Sequence, residues 1–307
     1  MENKKLTVVI PTHNRVDTLK KCLKALCGQT YSAADYGIIV VDDGSTDGTA
    51  AYAEALKKDF PVELACLRQE NKGPAAARNL GIKAARGEII LFIGDDIIAD
   101  SRLLEEHAAW HAAHPGDEAA MLGYTTWSGE ITITPFMKWL ESSGLQFGYG
   151  ALEDGSGADP ARFFYTSNLS VKRAFLTANG LFDEDFPYAA FEDMELGLRL
   201  GGKGLSLFFN RAAVGLHYHY TSLEDACARM IKVGEAGELL KEKTGKPRNA
   251  PGARAPLALQ ILRALKFRLY YRLAEFFEKR AVKAPVFGYV MDYCCRTGAG
   301  RYRGKGA

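Results

Sequence analysis

The chain has 307 residues, 47% of them apolar and 25% charged, with a formal net charge of +2. That suits one large or two modest globular domains with a sizeable core. It excludes a collagen, a disordered tail protein and a disulfide-stapled miniature domain. The first predicted element is a buried strand, Leu6–Ile10 (LTVVI), entered almost at once from the N-terminus. Its apolar run is too short for a signal peptide, and no stretch approaches the ~18 apolar residues of a spanning helix. Val16–Leu26 has helical spacing, with Leu19, Leu23 and Leu26 on one face. Ile38–Val41 is strand-like, Asp47–Lys58 helical, and Val62–Leu67 a strand. Pro74–Arg86 is a helix with Pro near its start, and Ile89–Ile93 is a fourth strand. This alternation predicts an α/β domain with a parallel sheet covered on both faces.

Ligands of such sheets sit beyond the carboxyl ends of the strands. There the chain is polar four times: Pro11-Thr12-His13-Asn14-Arg15, Asp42-Asp43-Gly44-Ser45, Asn71-Lys72-Gly73 and Gly94-Asp95-Asp96. Each alone is an ordinary turn or cap. Four at one sheet edge would line a pocket. The middle of the chain is less regular, with 144–157 reading as loop. A helix follows at Lys172–Ala178 and another at Met194–Leu200, preceded by Glu192-Asp193. Leu205–Phe209 and Val214–Tyr220 read as two strands. From Thr221 the pattern is helical, broken by a Pro/Gly/Ala/Arg linker at 246–256.

From Lys241 onward 16 Lys and Arg stand against 4 Asp and Glu, so an acidic body carries a basic tail. The division expected is 1–240, with halves 1–100 and 101–240, followed by a basic helical extension at 241–307. Within that extension 257–283 is a basic amphipathic helix. Its apolar face either lies on an anionic membrane surface or docks on protein, the catalytic domain or a second subunit of a homodimer. No nucleic-acid recognition motif accompanies the charge. The six cysteines, at 22, 27, 66, 227, 294 and 295, form no CxxC pair. They read as reduced thiols of a cytoplasmic protein, peripheral at the inner face of the membrane if the helix binds lipid.

The series PTHNR, VDDGSTDGT, NKGPAAARNLG, FIGDD, GLFDEDF, FEDMELGLRL and HYH, spanning roughly 5–235, resembles the family 2 glycosyltransferases. The resemblance implies the GT-A fold. It implies transfer of a sugar from a nucleotide-diphosphate donor, usually with inversion and a divalent Mn²⁺ or Mg²⁺. By the same resemblance Pro11, Thr12, Asn14 and Arg15 lie beside the nucleotide. Asp42 or Asp43 would accept from the imide N–H of uracil or thymine, because a carboxylate only accepts. Asn71, Gly73 and Arg78 look like the donor-binding loop and helix. Asp95 and Asp96 resemble the metal motif, with Asp96 the direct ligand and Asp95 on the ribose or a metal-bound water. Gly94 stands where many members carry a further Asp. His217 or His219, on one side of a strand, would help hold the metal, His217 first.

Asp193 matches the general base and Glu192 its positioning neighbour; Asn168 matches a position near the donor or acceptor sugar. Trp127, Trp139, Phe147 and Tyr149 either stack on the acceptor, a glycan or a lipid-linked one, or fill the core. His107, His111 and His114 read as a solvated helix face. Two rival readings are a catalytically silent sugar-nucleotide-binding or scaffold protein, motivated by Gly94, and a sugar nucleotidyltransferase. The second would need a Gly-rich basic phosphate loop near the N-terminus, which PTHNR is not.

Overall fold

The computed structural model describes residues 4–245, 257–280 and 285–303. The expected linker at 246–256 and the end of the basic helix, at 281–283, lie outside them. In chain order come β1 (Leu6–Thr12), α1 (Val16–Cys27), β2 (Tyr36–Asp42), α2 (Thr49–Leu56), β3 (Glu63–Arg68), α3 (Pro74–Ala84) and β4 (Ile89–Ile93). β1, β2, β3 and β4 pair in parallel in the order β3-β2-β1-β4. β2 and β4 are buried along their whole length, and β1 except at Pro11, as helices on both faces require. α1 places Leu19, Cys22, Leu23 and Leu26 on that core.

β5 (Ile97–Ala99), α4 (Leu103–Ala113), β6 (Ala119–Trp127) and α5 (Pro135–Ser142) come next. They are followed by β7 (Gly157–Ala158), α6 (Pro160–Phe163), β8 (Asn168–Lys172), α7 (Arg173–Asn179), α8 (Glu192–Gly201) and β9 (Ser206–His217). Among the described residues the sheet has nine strands, ordered β3-β2-β1-β4-β8-β6-β9-β5, with β7 against β9. β8 runs antiparallel to both β4 and β6, so the sheet is mixed. The two strands expected at 205–209 and 214–220 are one strand, β9. It keeps pairing with β6 across a bulge in which Asn210 faces Gly123 and Val214 faces Tyr124. The bulge carbonyl of Ala213 and the neighbouring carbonyl of Tyr124 both accept from Asn168 Nδ2, at 2.9 and 3.2 Å. Gly123 makes room for that amide: a Cβ there would stand 2.3 Å from Asn168 Nδ2.

Contacts divide the chain into two compact units, Met1–Ile131 with Tyr149–His219, and Thr132–Gly148 with Tyr220–Ala307. The second holds α5, α9 (Leu223–Lys243), α10 (Leu257–Phe277) and α11 (Pro285–Arg303). It thus includes 132–148 and 220–240, which the sequence reading assigns to the catalytic part. Ser222 and Asp225 form a capping box at the start of α9. α9 and α11 approach through glycine: a Cβ on Gly234 would lie 1.9 Å from the Cys295 carbonyl oxygen, and one on Gly298 1.8 Å from that of Ile231. Phe136, Leu223, Ala274, Phe287, Val290 and Met291 form this unit's own core. Among the described residues no helix is long and apolar enough to cross a membrane.

Candidate active site

Parallel strands β1, β2, β3 and β4 deliver four loops to one edge. The register sets Thr12 opposite Asp42, so the loops after β1 and β2 begin side by side. Asn14 fastens them. It sits in the left-handed region at φ 52°, which Asn tolerates better than most residues. Its N–H donates to Ser45 Oγ at 2.8 Å, and its Oδ1 accepts from the Thr46 N–H at 2.7 Å.

Asp42 and Asp43 are both buried, and they differ in what remains to them. Asp43 is spent on the loop after β3: Oδ1 accepts from Gln69 Nε2 at 2.7 Å and the Lys72 N–H at 2.9 Å, and Oδ2 from the Gly73 N–H at 2.9 Å. Asp42 Oδ1 accepts from the Ser45 N–H at 3.0 Å. Its Oδ2 stands 3.3 Å from Arg68 Nε and accepts no hydrogen bond. The Arg68 charge compensates that oxygen in part, and a ligand N–H could still supply the hydrogen bond it lacks. Of the two aspartates that the sequence leaves open, Asp42 is the one with an oxygen that accepts no hydrogen bond. Asn71 Nδ2 lies 3.3 Å from His13 Nε2, at the mouth of the same loops.

The second cluster forms where β4 turns into β5. β5 pairs with β9 so that Ile97 faces His217, and the Tyr218 N–H donates to the Asp96 carbonyl at 2.7 Å. His217 Nε2 is therefore 3.4 Å from Asp96 Oδ2. Arg15 reaches both carboxylates, 3.1 Å from Asp95 Oδ1 and 2.9 Å from Asp96 Oδ2, and also His219 Nδ1 at 2.8 Å. The Thr12 hydroxyl donates to Asp95 Oδ2 at 2.8 Å. Burial opposes ionisation of both acids. At Asp96 the His217 imidazole and the Arg15 guanidinium outweigh it and hold the carboxyl below its ordinary range. At Asp95 desolvation and the Asp96 charge prevail over Arg15 and Thr12, and the carboxyl is pushed up.

This edge fits a hard divalent cation in part. Two carboxylates and an imidazole suit Mg²⁺ or Mn²⁺, and a guanidinium already bridging the pair marks the spot as one that stabilises positive charge. Among the described residues no group of three or more His, Cys, Asp or Glu closes a metal site by itself. The remaining ligands would be substrate oxygens, as is usual for Mg²⁺. A Cβ on Gly94 would meet Asp96 Oδ1 at 2.7 Å, with the Ile97 side chain next at 3.6 Å.

The third cluster joins α3 to α8. Arg78 is not solvated: its Nη1 donates to Glu192 Oε1 at 2.8 Å, with both side chains buried. Asn79 holds the loop before α8 by donating to the Phe182 carbonyl and accepting its N–H, both at 2.9 Å. Phe191, just before the acidic pair, is in the left-handed region at φ 69°, a conformation such side chains rarely keep without a constraint. Asp193 Oδ1 accepts the N–H of Met194 at 2.8 Å. Desolvation and the Glu192 charge push the Asp193 carboxyl up to about 7, with Arg78 opposing. Glu192 Oε2 and Arg78 Nε make no hydrogen bond.

Several other residues singled out in the sequence are buried or packed against a core. Asn168 is fully buried, its amide nitrogen spent on the β9 bulge and its oxygen 2.8 Å from His107 Nε2. His107 and His111 are 0% and 1% exposed, not on a solvated face. Both bond Ser170 Oγ, at 2.7 and 2.8 Å, and burial lowers their pKa values to about 4 and about 3. Their partners lie some sixty residues away on β8, beyond any local pattern. Tyr149 is core, stacked on Phe209. Trp139 packs on Phe136 and Phe287 in the second unit. Trp127 is buried with its ring edge-on to His217, 5.5 Å between centroids.

The sequence profile described as "Glycosyl transferase family 2" matches residues 7–175. An uncharacterized glycosyltransferase YfnE of Bacillus subtilis is 29% identical over 262 residues, 71% of this chain and 66% of the relative. A validoxylamine A glucosyltransferase of Streptomyces hygroscopicus is 25% identical over 72% of this chain and 57% of its own length. The chain thus spans less than two thirds of these curated relatives. A mannosyltransferase of Pyrobaculum calidifontis, solved with GDP-Man and Mn²⁺, superposes with a TM-score of 0.66 at 18% identity, over 97% of this chain and 87% of that one. Staphylococcus aureus TarS 1–349 in complex with UDP gives 0.56 at 18% identity, covering 98% and 92%. These likenesses establish the fold.

Proposed function

The chain belongs to glycosyl transferase family 2 and has the GT-A fold. From that premise we propose that it moves a sugar from a nucleoside-diphosphate donor, UDP-linked by preference, to a hydroxyl of a glycan or lipid-linked acceptor of the cell envelope, with inversion. The observation that carries the reading is the junction of Asp95, Asp96, Arg15 and His217 beside a loop whose Asp42 has a buried oxygen that is ion-paired with Arg68 but accepts no hydrogen bond. Asp42 Oδ2 would accept the imide N–H of uracil. A guanine N1–H could serve the same oxygen, so the solved relatives with UDP and with GDP-Man both agree with it. Pro11, Thr12, Asn14, Asn71 and Gly73 shape the nucleotide's surroundings, with Asp43 holding the loops in place.

Asp96, with His217 and Asp95 beside it, would hold Mn²⁺ or Mg²⁺ together with diphosphate oxygens. The ion's contribution is to stabilise the negative charge of the departing nucleoside diphosphate. Arg15 adds a second positive charge at that place. At the other end Asp193 takes the proton of the acceptor hydroxyl as that oxygen bonds C1 and the bond from C1 to the diphosphate breaks. Inversion follows when attack comes from the face opposite the leaving group. A carboxyl pushed up to about 7 suits a base working near neutral pH. Arg78 and Glu192 set its position and its charge.

Calorimetric titration with UDP, TDP, GDP and CDP, each with and without Mn²⁺, tests the donor half. Metal-dependent binding of one of them, lost in Asp42→Asn for that base, is expected. Tight nucleotide binding without transfer of any sugar would favour a silent binding protein, and Gly94→Asp would then ask whether the missing carboxylate is the cause.

A further inference from the structure

In the second unit α10 has two different apolar faces. One is inward: Phe267, Tyr270, Tyr271, Ala274 and Phe277 pack in the core shared with α11, and Ala274 is completely buried. The other faces away from that core. Leu262, Leu265, Leu269 and Phe276 are 61, 55, 60 and 56% exposed, with Leu273 between them at 38%. Their spacing of three and four residues draws one stripe along the helix, about 20 Å long at 1.5 Å per residue. Exposed leucines in such a row are not the scattered single ones of an ordinary surface.

Charge says what covers the row. Arg263, Lys266, Arg268 and Arg272 are all exposed on α10, against a single acid, Glu275, which pairs with Arg272 at 3.1 Å. Counted at 100° per residue, Arg268 and Arg272 fall on one side of the stripe and Arg263 and Lys266 on the other. Long basic side chains can lay their stems along apolar surface while their heads reach outward. A second copy of the same face would bring like charges together. A phosphate backbone would leave the leucines in water. An anionic lipid surface answers both parts at once.

We propose that α10 is an interfacial anchor, which lies in the headgroup region of an anionic bilayer with Leu262, Leu265, Leu269 and Phe276 inserted and its Arg and Lys on lipid phosphates. The helix is too polar to span, so it lies in the plane of the surface. This inference rests on α10 alone and does not depend on the transferase reading.

The test is sedimentation of the full chain with vesicles of phosphatidylcholine, or of phosphatidylcholine with one quarter phosphatidylglycerol. Pelleting with the anionic vesicles, weakening as salt rises, is expected. The double variant Leu265→Glu/Leu269→Glu should lower the partition at least tenfold with an unchanged Tm. Arg268→Gln and Arg272→Gln should each lower it roughly fivefold on anionic vesicles. Equal pelleting with and without phosphatidylglycerol, or an undiminished partition of the double variant, would overturn the proposal. So would a micromolar dimer that Leu265→Glu dissolves, which would give the face to a second copy.

Discussion

Two acidic pairs of the first unit, Asp95–Asp96 and Glu192–Asp193, are each attended by an arginine, and the two are wired differently. Arg15 touches both members of Asp95–Asp96, and His217 adds a contact to Asp96. Arg78 pairs with Glu192, and the Asp193 carboxyl accepts the N–H of Met194. Each pair has one member that burial and its neighbour's charge push up to about 7, Asp95 in the first and Asp193 in the second. The first pair is set apart by its other member: His217 and Arg15 together hold Asp96 below its ordinary range, so a charged carboxylate stays beside two cationic or polar groups. In the second pair the guanidinium bonds Glu192, and on the proposed reading the raised Asp193 is the acid that would accept a proton near neutral pH. The comparison teaches that a raised acid arises under either wiring, and that the imidazole beside Asp96 is what distinguishes the two places.

The sharpest way to test the second pair is to remove the proposed proton acceptor. Asp193→Asn should lower kcat about 10³-fold, within the usual range for a lost general base, with nucleotide affinity unchanged in calorimetry. An equal fall in nucleotide affinity would instead place Asp193 in the donor site. The next effect is on stability. Arg78→Met leaves Glu192 buried and unpaired, which should cost about 3 kcal/mol in urea unfolding. Arg78→Met/Glu192→Gln should recover much of that loss, since no uncompensated charge remains. A double variant no more stable than the single one would mean that the pair is not what holds α3 to α8.

The half at 1–100 was legible from sequence because its strands are unbroken apolar runs. LTVVI, IIVV and IILFI can hardly be anything but buried parallel strands once helices separate them, and the polar residues after each run fall at one edge by topology. The half at 101–240 was less legible. β6, AAMLGYTTW, and β8, NLSVK, carry polar residues inward, so their periodicity is blurred. Those inward groups satisfy one another at long range: Asn168 and Ser170 meet His107 and His111, and Asn168 also fills the β9 bulge. A bulge inside one strand looks like a gap between two. The Arg78–Glu192 pair was equally hidden, because 114 residues separate its members. What sets Asp43 apart from Asp42 are the hydrogen bonds of Gln69, Lys72 and Gly73, which only the fold brings to it.

Two smaller effects sharpen the contrast between the pairs. Arg15→Gln removes a positive charge about 3 Å from both carboxylates of the first. Mn²⁺ titrated without nucleotide should then bind roughly tenfold tighter, since the ion no longer competes with a resident cation. Weaker binding would mean that Arg15 organises the carboxylates and does not rival the metal.

The finest test is the pH profile of the second pair. Asp193 must be deprotonated to accept a proton, so kcat should rise with pH through about 7 and level off above it. Two of the influences on that carboxyl are electrostatic and opposed: Glu192 raises its pKa and Arg78 lowers it. Glu192→Gln removes the raising charge and leaves the lowering one, so both consequences point the same way. The acid limb should move down by about one pH unit, a change of ~1.4 kcal/mol in the relative stability of the two protonation states. At pH 6 the variant would then keep a larger share of its own maximal rate than the parent does. A limb that stays in place would show that burial alone sets the Asp193 carboxyl, and that Glu192 serves only to position Arg78.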